Sequence, residues 1–336
     1  MRLGTLKTGG RDGTLVVIRS DGGSFAKVPE IAPTLQTALD RWPEVSTRLE
    51  EVAARLECGT FEGEPLDERA LCAPLPRAYE WVDASAYINH IELVRRARGV
   101  AVPEFLRTDP LVYQGGSGTL LGPRDPIPLI EEDFGLDFEG ELCVVLGDTP
   151  QGTKASEASE HILLVMMCND VSLRNVIASE LKKGFGFFQG KPSTAYSPWA
   201  VRPADLEGLM VGGRLHSKML VELNGTRIGE LDSGPEMHFS FLELIEHLCR
   251  TRSFTAGTIL GSGTVSNKEP SRGVACLAER RMREVLESGQ AETPFLREGD
   301  EVRIECVDGL GRTLFGSIDQ RVCRTHRSAA SQDRFT

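Results

Sequence analysis

The sequence predicts an α+β fold that is mainly β, and three features carry that expectation. Its 35 glycines and 18 prolines in 336 residues punctuate the chain with many turns. Between those turns, short runs of Val, Ile and Leu recur, as at 15–18 and 162–168, with the length of strands rather than helices. Helical stretches such as 34–39, 43–56 and 241–248 supply the α part. The net charge of −11 argues against nucleic acid or an anionic membrane as a main partner. No stretch approaches the ~18 apolar residues of a membrane span, and Met1-Arg2-Leu3-Gly4-Thr5 opens nothing like a signal peptide. The eight cysteines show neither a C-x-x-C pair nor zinc-finger spacing, and Cys143 and Cys168 lie inside apolar runs as small hydrophobes do. The expected setting is cytoplasmic.

Residues 1–72 read as a small unit of their own. Leu15-Val16-Val17-Ile18 is a strand between glycine-bearing turns at Gly9-Gly10 and Asp21-Gly22-Gly23. Thr34 to Leu39 opens one helix and Pro43 a second, in which Val45, Leu49, Val52 and Leu56 keep helical spacing. No chemistry is evident here, so packing or support of a dimer is the expectation. Ala73-Pro74-Leu75-Pro76-Arg77 is a stiff linker to a larger unit over 73–322, and the polar tail at 323–336 is expected to be disordered.

In the larger unit, a helix begun near Asp83 would put Asp83, Tyr87, His90 and Val94 on one face. Asp83 and His90 could then serve one site, although a structural role for His90 stays open. Arg95-Arg96-Ala97-Arg98 fits a solvated helix end. Asp109 to Gly118 is a strand breaking into a glycine-rich loop, of the kind that lets backbone approach a ligand, but without the P-loop pattern. Residues 148–161 are polar and helical in flavour, and 162–168 is a strand buried on both faces. Its tip delivers Asn169-Asp170, as a ligand carboxylate on a rigid element or as a cap for the next helix. Lys182 to Thr194 is a loop rich in glycine and aromatics that carries Lys191, and Ser197-Pro198-Trp199 enters a further strand. Ser240 to Glu243 fits a capping box ahead of the stripe Phe241, Leu244, Ile245, Leu248. Gly257 to Thr264 is a strand running into a tight loop that exposes a hydroxyl, and 301–307 with 313–318 form a hairpin.

The centre of the chain is Asp137 to Leu146. With a period of two, Phe138, Leu142, Val144 and Leu146 make an apolar face and Glu139 and Glu141 stand together on the other. Two such carboxylates in a buried strand repel unless protons or a cation lie between them. An edge strand with both glutamates in solvent is the alternative. Asp83, Glu139, Glu141 and Asp170 each border an apolar stretch, and four carboxylates with no suggested thiol or imidazole ligand favour Mg²⁺, Ca²⁺ or Mn²⁺ over Zn²⁺.

Together these motifs resemble the fumarylacetoacetate hydrolase family over roughly residues 73–320. Asp83 with His90 seven residues on, Glu139-x-Glu141, Asn169-Asp170-x-Ser172-x-Arg174, Lys191 ahead of Ser197-Pro198-Trp199, and Gly261-Ser262-Gly263-Thr264 stand in the family's order. The resemblance implies a mixed β-sandwich roll after a small SH3-like or barrel-like N-terminal domain, usually in a homodimer. It implies Mg²⁺ or Ca²⁺, with Mn²⁺ as a further candidate, on Asp83, Glu139, Glu141 and Asp170. His90 would be the base with Glu279 as its partner, Lys191 and Arg174 would act on substrate and developing charge, and Tyr113 and Thr264 would line the pocket. The activity implied is hydrolysis of a carbon–carbon bond in a small anionic 1,3-diketo acid, fumarylacetoacetate of aromatic amino-acid breakdown being the first choice. Acylpyruvate hydrolysis, or isomerisation or decarboxylation of an oxo-diacid, is the second. A Ca²⁺-stabilised binding protein is the reading from another class, and it leaves His90, Lys191 and Thr264 without a reason. Ile177 and Gly116 stand where the animal hydrolase carries a glutamine and an arginine, a departure that bears on substrate more than on reaction.

Overall fold

The structure, a computed structural model, describes residues 1–97, 99, 101–206 and 208–325. Arg98 of the basic run and residues 326–336 of the expected tail lie outside the described residues. The chain begins with strands β1 (Arg2–Leu6), β2 (Thr14–Ile18) and β3 (Ser24–Lys27) and helices α1 (Leu35–Asp40) and α2 (Trp42–Glu57). The middle holds β4 (Trp81–Ala84), α3 (Ile88–Ala97), β5 (Val112–Gly115), β6 (Gly140–Leu146), β7 (Ile162–Asn169), α4 (Arg174–Leu181) and β8 (Trp199–Val201). The remainder holds β9 (Lys218–Leu223), β10 (Thr226–Asp232), α5 (Phe241–Leu248), β11 (Ile259–Thr264), α6 (Leu277–Ser288), β12 (Glu301–Val307) and β13 (Thr313–Arg324).

The main sheet runs β3-β2-β1-β8-β7-β6-β11-β4-β5, antiparallel at every step except β11 beside β4. A second sheet is ordered β10-β9-β12-β13, with Ile127–Leu129 added parallel to β13. The architecture is mixed α+β and mainly sheet, as the sequence predicts.

Alternation along the central strands explains the layering. Leu142, Val144 and Leu146 of β6 join Val165 and Met167 of β7 in a core shared with Met219, Val221, Ile304 and Phe315 of the second sheet. Cys143 and Val145, with Leu164, Met166 and Cys168, point the other way, into a core closed by Leu35, Leu39, Val45 and Leu49 of α1 and α2. The middle strands are therefore covered on both faces, and every residue of β6 is buried. That rules out the edge-strand alternative for the glutamates. β1 extends the same sheet by pairing Arg2, Leu3 and Gly4 with β8, so the N-terminal strands and helices form part of the layer that carries the central strands.

Three local expectations are corrected. Asp83 lies on strand β4, not on a helix, and α3 starts only at Ile88. The four residues Trp81-Val82-Asp83-Ala84 are held extended by parallel pairing to β11 and antiparallel pairing to β5, which local spacing does not reveal. The helical content of residues 148–161 is the single 3₁₀ turn Ala158–His161. Asn169 and Asp170 do not cap α4, whose N-cap is Leu173 without a side-chain bond. Both are fully buried and used elsewhere. The capping box at Ser240 and Glu243 is present as expected, with Phe241, Leu244 and Ile245 buried.

Candidate active site

The acidic centre is built by strands of one sheet, with β11 standing between β4 and β6. Asp83 comes from β4, Glu141 from β6, and Asp170 follows the last residue of β7. One carboxylate oxygen from each lies within 4.8 Å of the others. Asp83 owes its position to the Gly261-Ser262-Gly263-Thr264 run. A Cβ at residue 261 would lie 2.4 Å from Asp83 Oδ1, so glycine there makes room for the carboxylate. Gly263 has φ +74°, and its N–H donates to Asp83 Oδ1 at 2.9 Å. The register between β11 and β6 slips between Gly261 and Thr264, and the Ser262 hydroxyl accepts the Leu142 N–H at 3.2 Å within that bulge. Ser262 is thus buried in the sheet, and the hydroxyl that faces the cavity is that of Thr264.

Asp170 is the most heavily bonded of the three. Its Oδ1 accepts from Thr194 Oγ1 at 2.7 Å, and its Oδ2 accepts from Tyr113 and from Lys191 Nζ. Glu139, the fourth expected ligand, sits just before β6 with both oxygens engaged. Arg174 Nη2 donates to Oε1 at 2.7 Å and Lys191 Nζ to Oε2 at 2.5 Å. Burial alone would raise the Glu139 pKa, but Arg174 and Lys191 overcome it and hold the carboxyl below its usual range. Arg174 also donates from Nε to Asp137 at 2.8 Å. Arg174 and Lys191, expected to meet substrate, are thus first of all the counter-charges of buried acids.

Among the described residues no cation is ion-paired with Glu141 or Asp83, and Lys191 only partly offsets the burial of Asp83. Burial, then repulsion from Asp170, raises Asp83 to about 8. Burial, then Asp83, pushes Glu141 well above the usual carboxyl range. Glu141 Oε1 is buried with no hydrogen-bond partner. An oxygen left over in a fully buried carboxylate cluster is what a bound cation would satisfy, and the all-oxygen donor set suits a hard divalent ion. Asp83, Glu141 and Asp170 fit such an ion directly, with Glu139 beside them.

Across the same cavity lies a second cluster. His90, in the first turn of α3, has Nδ1 3.5 Å from Oε2 of Glu279, in the first turn of α6. Glu279 is wholly buried, and its other oxygen accepts from Ser266 Oγ at 3.0 Å and from Arg283 Nη2 at 2.9 Å. Asn89 donates to Ser266 Oγ at 2.7 Å, tying the residue before His90 into the same network. The cavity between the clusters measures about 150 Å³, and Ile177 and Phe187 line its apolar side, Phe187 packing edge-on against Tyr113.

All ten residues singled out in the sequence are therefore found in or against one cavity. Sequence reasoning missed Asp137, Thr194, Ser266 and Arg283. Asp137 accepts from Arg174 and also from the N–H groups of Leu277 and Ala278, joining the acidic centre to the start of α6. The one available signal was for Arg283, four residues after Glu279 on a helix that the sequence reading did not mark.

Comparison with known proteins adds the following. The profile described as fumarylacetoacetate (FAA) hydrolase C-terminal matches residues 80–323, and that of fumarylacetoacetase N-terminal domain 2 matches residues 1–77. Human oxaloacetate tautomerase FAHD2B, mitochondrial, is 24% identical over 296 residues, spanning 87% of this chain and 83% of its own. Oxaloacetate tautomerase YisK of Bacillus subtilis is 28% identical over 256 residues, spanning 75% and 74%. A solved structure described as a putative HpcE protein from Mycobacterium smegmatis matches with a TM-score of 0.70 at 19% identity, covering 97% of this chain and all 100% of that one. Maleylpyruvate hydrolase from Sphingobium sp. SYK-6, solved with manganese(II) ion and pyruvate, matches with a TM-score of 0.63 at 15% identity over the same 97% and 100%. At such identities the structural likeness speaks to the fold.

Proposed function

Because the chain belongs to the fumarylacetoacetate hydrolase family, we propose that it is a metal-dependent enzyme for a short, enolisable 2-oxo acid, and that it moves a proton at the carbon next to the oxo group. The observation that carries this reading is the pairing of His90 with Glu279 across one small cavity from Asp83, Glu141 and Asp170. A divalent cation held by those three carboxylates would polarise the oxo group and neighbouring carboxylate of the substrate. His90 takes and returns the proton, while Glu279 orients the ring and balances its charge. Ser266 and Arg283 occupy the other oxygen of Glu279 and so keep Oε2 for His90. Thr264 and Tyr113 supply hydroxyls at the cavity wall. At about 150 Å³ the cavity is small against the roughly 300–1,000 Å³ of drug-sized pockets. That favours a four-carbon oxo-diacid, in keeping with the oxaloacetate tautomerases among the relatives.

The second reading is hydrolysis of a 1,3-diketo acid such as fumarylacetoacetate or an acylpyruvate. The specific observation in its favour is again the dyad, since an imidazole backed by a buried carboxylate is equally suited to deprotonating water. The experiment that separates the two offers enol-oxaloacetate, fumarylacetoacetate and an acylpyruvate to the Mn²⁺-loaded and Mg²⁺-loaded protein. Accelerated loss of the enol absorbance, abolished in His90→Ala, is the expected result. Cleavage of a diketo acid without tautomerisation moves the assignment to hydrolysis. No acceleration with any of the three removes both.

A further inference from the structure

A second ligand set lies beside the acidic one, and proton transfer does not use all of it. One ligand atom from each of His90, Glu279 and Cys276 falls within 4.8 Å of the others. His90 Nδ1 and Glu279 Oε2 are both buried without a hydrogen-bond partner. Cys276 is fully buried at the N-cap of α6, where its sulfur accepts the Glu279 N–H at 3.4 Å. We infer that these three side chains form a separate site for a borderline-soft divalent ion, Zn²⁺ foremost, and that filling it switches the dyad off.

The donor types make the case. A thiolate, an imidazole and a carboxylate together carry two negative charges, which balance one Zn²⁺. The neighbouring centre offers only oxygen and suits Mg²⁺ or Mn²⁺, so softness sorts two kinds of ion within one cavity. A tetrahedral ion with bonds of about 2.0–2.3 Å sets its ligand atoms about 3.3–3.8 Å apart. The 3.5 Å between His90 Nδ1 and Glu279 Oε2 lies inside that range. The N–H bond to Cys276 survives ligation, because a backbone N–H is an ordinary partner of a metal-bound sulfur. Burial, then Asp137, pushes the free thiol well above its usual range, so the ion itself must displace the proton. Arg283 holds the other oxygen of Glu279 and leaves Oε2 to the ion. His90 also lines the cavity, from which a water would complete the set. On binding, the Sγ–H bond breaks, a metal–sulfur bond forms and the proton leaves to solvent, with no change of oxidation state. The ion then occupies the atoms through which His90 and Glu279 communicate, so it acts as an inhibitor while the acidic centre keeps its own cation. Only this inhibitory consequence rests on the proposed reaction.

The test uses the full-length protein saturated with Mg²⁺ and titrated with Co²⁺ as a spectroscopic stand-in for Zn²⁺. Wild type should develop sulfur-to-metal charge-transfer absorption that saturates near one equivalent. Cys276→Ser, which keeps an N-capping oxygen, should lose it, Glu279→Gln should weaken Co²⁺ binding at least tenfold, and Glu141→Gln should keep it. Thermal midpoints taken with Mg²⁺ verify that each variant is folded. Equimolar Zn²⁺ should slow wild-type turnover at least tenfold and leave Cys276→Ser at its own Zn²⁺-free rate. Absence of the absorption in wild type, or its persistence in folded Cys276→Ser, overturns the site whatever the substrate proves to be. A site seen by Co²⁺ but without effect of Zn²⁺ on turnover overturns the switch. If no 2-oxo acid is turned over, the proposed function fails, and the Co²⁺ spectra still decide this inference.

Discussion

The two halves of the cavity are built by different means. The acidic centre draws Asp83 and Glu141 from β4 and β6 of one sheet, each paired to a strand on both sides, and Asp170 from the residue just after β7. The dyad draws His90 and Glu279 from the first turns of α3 and α6, 189 positions apart in sequence, with side-chain bonds setting the alignment. The centre that carries the most concentrated charge thus sits on the most rigid support. The pair proposed to move a proton sits instead in the first turns of two helices. This separation predicts that cation binding and proton transfer can be damaged independently.

The largest expected effect comes from emptying the sheet-borne half. Glu141→Ala should lower turnover by roughly 10³-fold or more, since a Lewis acid supplies several kcal/mol of transition-state stabilisation. Wild type should gain about 2.7 kcal/mol from a cation at a hundred times its Kd, and the variant should gain almost nothing. Calorimetry with and without Mn²⁺ reads this directly, and an undiminished gain would mean that the cation binds elsewhere. His90→Ala should cut kcat by roughly 10²–10⁴ while the Mn²⁺-induced rise in Tm stays as in wild type. Should that rise disappear, the two halves are one unit and the comparison collapses. Ser266→Ala sharpens it further. Losing one of two bonds to Glu279 Oε1 costs about 1 kcal/mol, hence a fall in kcat of about fivefold with KM unchanged.

The smallest effect concerns pH. Without a cation, Asp83 titrates at about 8 in the folded protein, far above its unfolded value near 4, and Glu141 is raised as well. The folded state then holds more protons than the unfolded state. The resulting stabilisation is complete below about pH 4 and is lost as pH rises through about 8. In a chelator, Tm should decline by a few degrees between pH 5 and pH 8.5. Saturating Mn²⁺ should flatten or reverse that slope, because the ion takes the place of the protons. A Tm that rises with pH in the chelator would contradict the buried, unpaired state of Asp83 and Glu141.

Residue patterning carried the acidic centre further than it carried the dyad. Glu139 and Glu141 stand out because two charges interrupt an apolar run, a conflict visible without any tertiary information. Asp170 stands out for the same reason at the end of the run 162–168. Asp83 was recognised as a site residue but given to a helix, because a spacing of seven to His90 mimics helical periodicity when the strand is only four residues long. Ser266 and Arg283 are ordinary polar residues whose meaning exists only once α6 is docked against α3. Asp137 was likewise invisible, since its role is to join Arg174 to the N–H groups of Leu277 and Ala278, 140 and 141 positions further along the chain. The second sheet was only half legible. Its β12–β13 hairpin has a turn signal at Asp308-Gly309, but β9 and β10 carry too many charges to stand out.

The pairing of β1 with β8 has a consequence for solubility. β8 is the three-residue strand Trp199-Ala200-Val201, fully covered here, and Arg2, Leu3 and Gly4 satisfy one side of its backbone. Were residues 1–77 removed, that side would become an open row of unpaired N–H and C=O groups, and the apolar surface of Leu164, Met166 and Ala200 would lose α1 and α2 above it. A bare edge beside a greasy face is a template for strand exchange between molecules, so the shortened chain should self-associate into large particles even with every residue of the cavity intact. The first 77 residues thus cover both that edge and that apolar face.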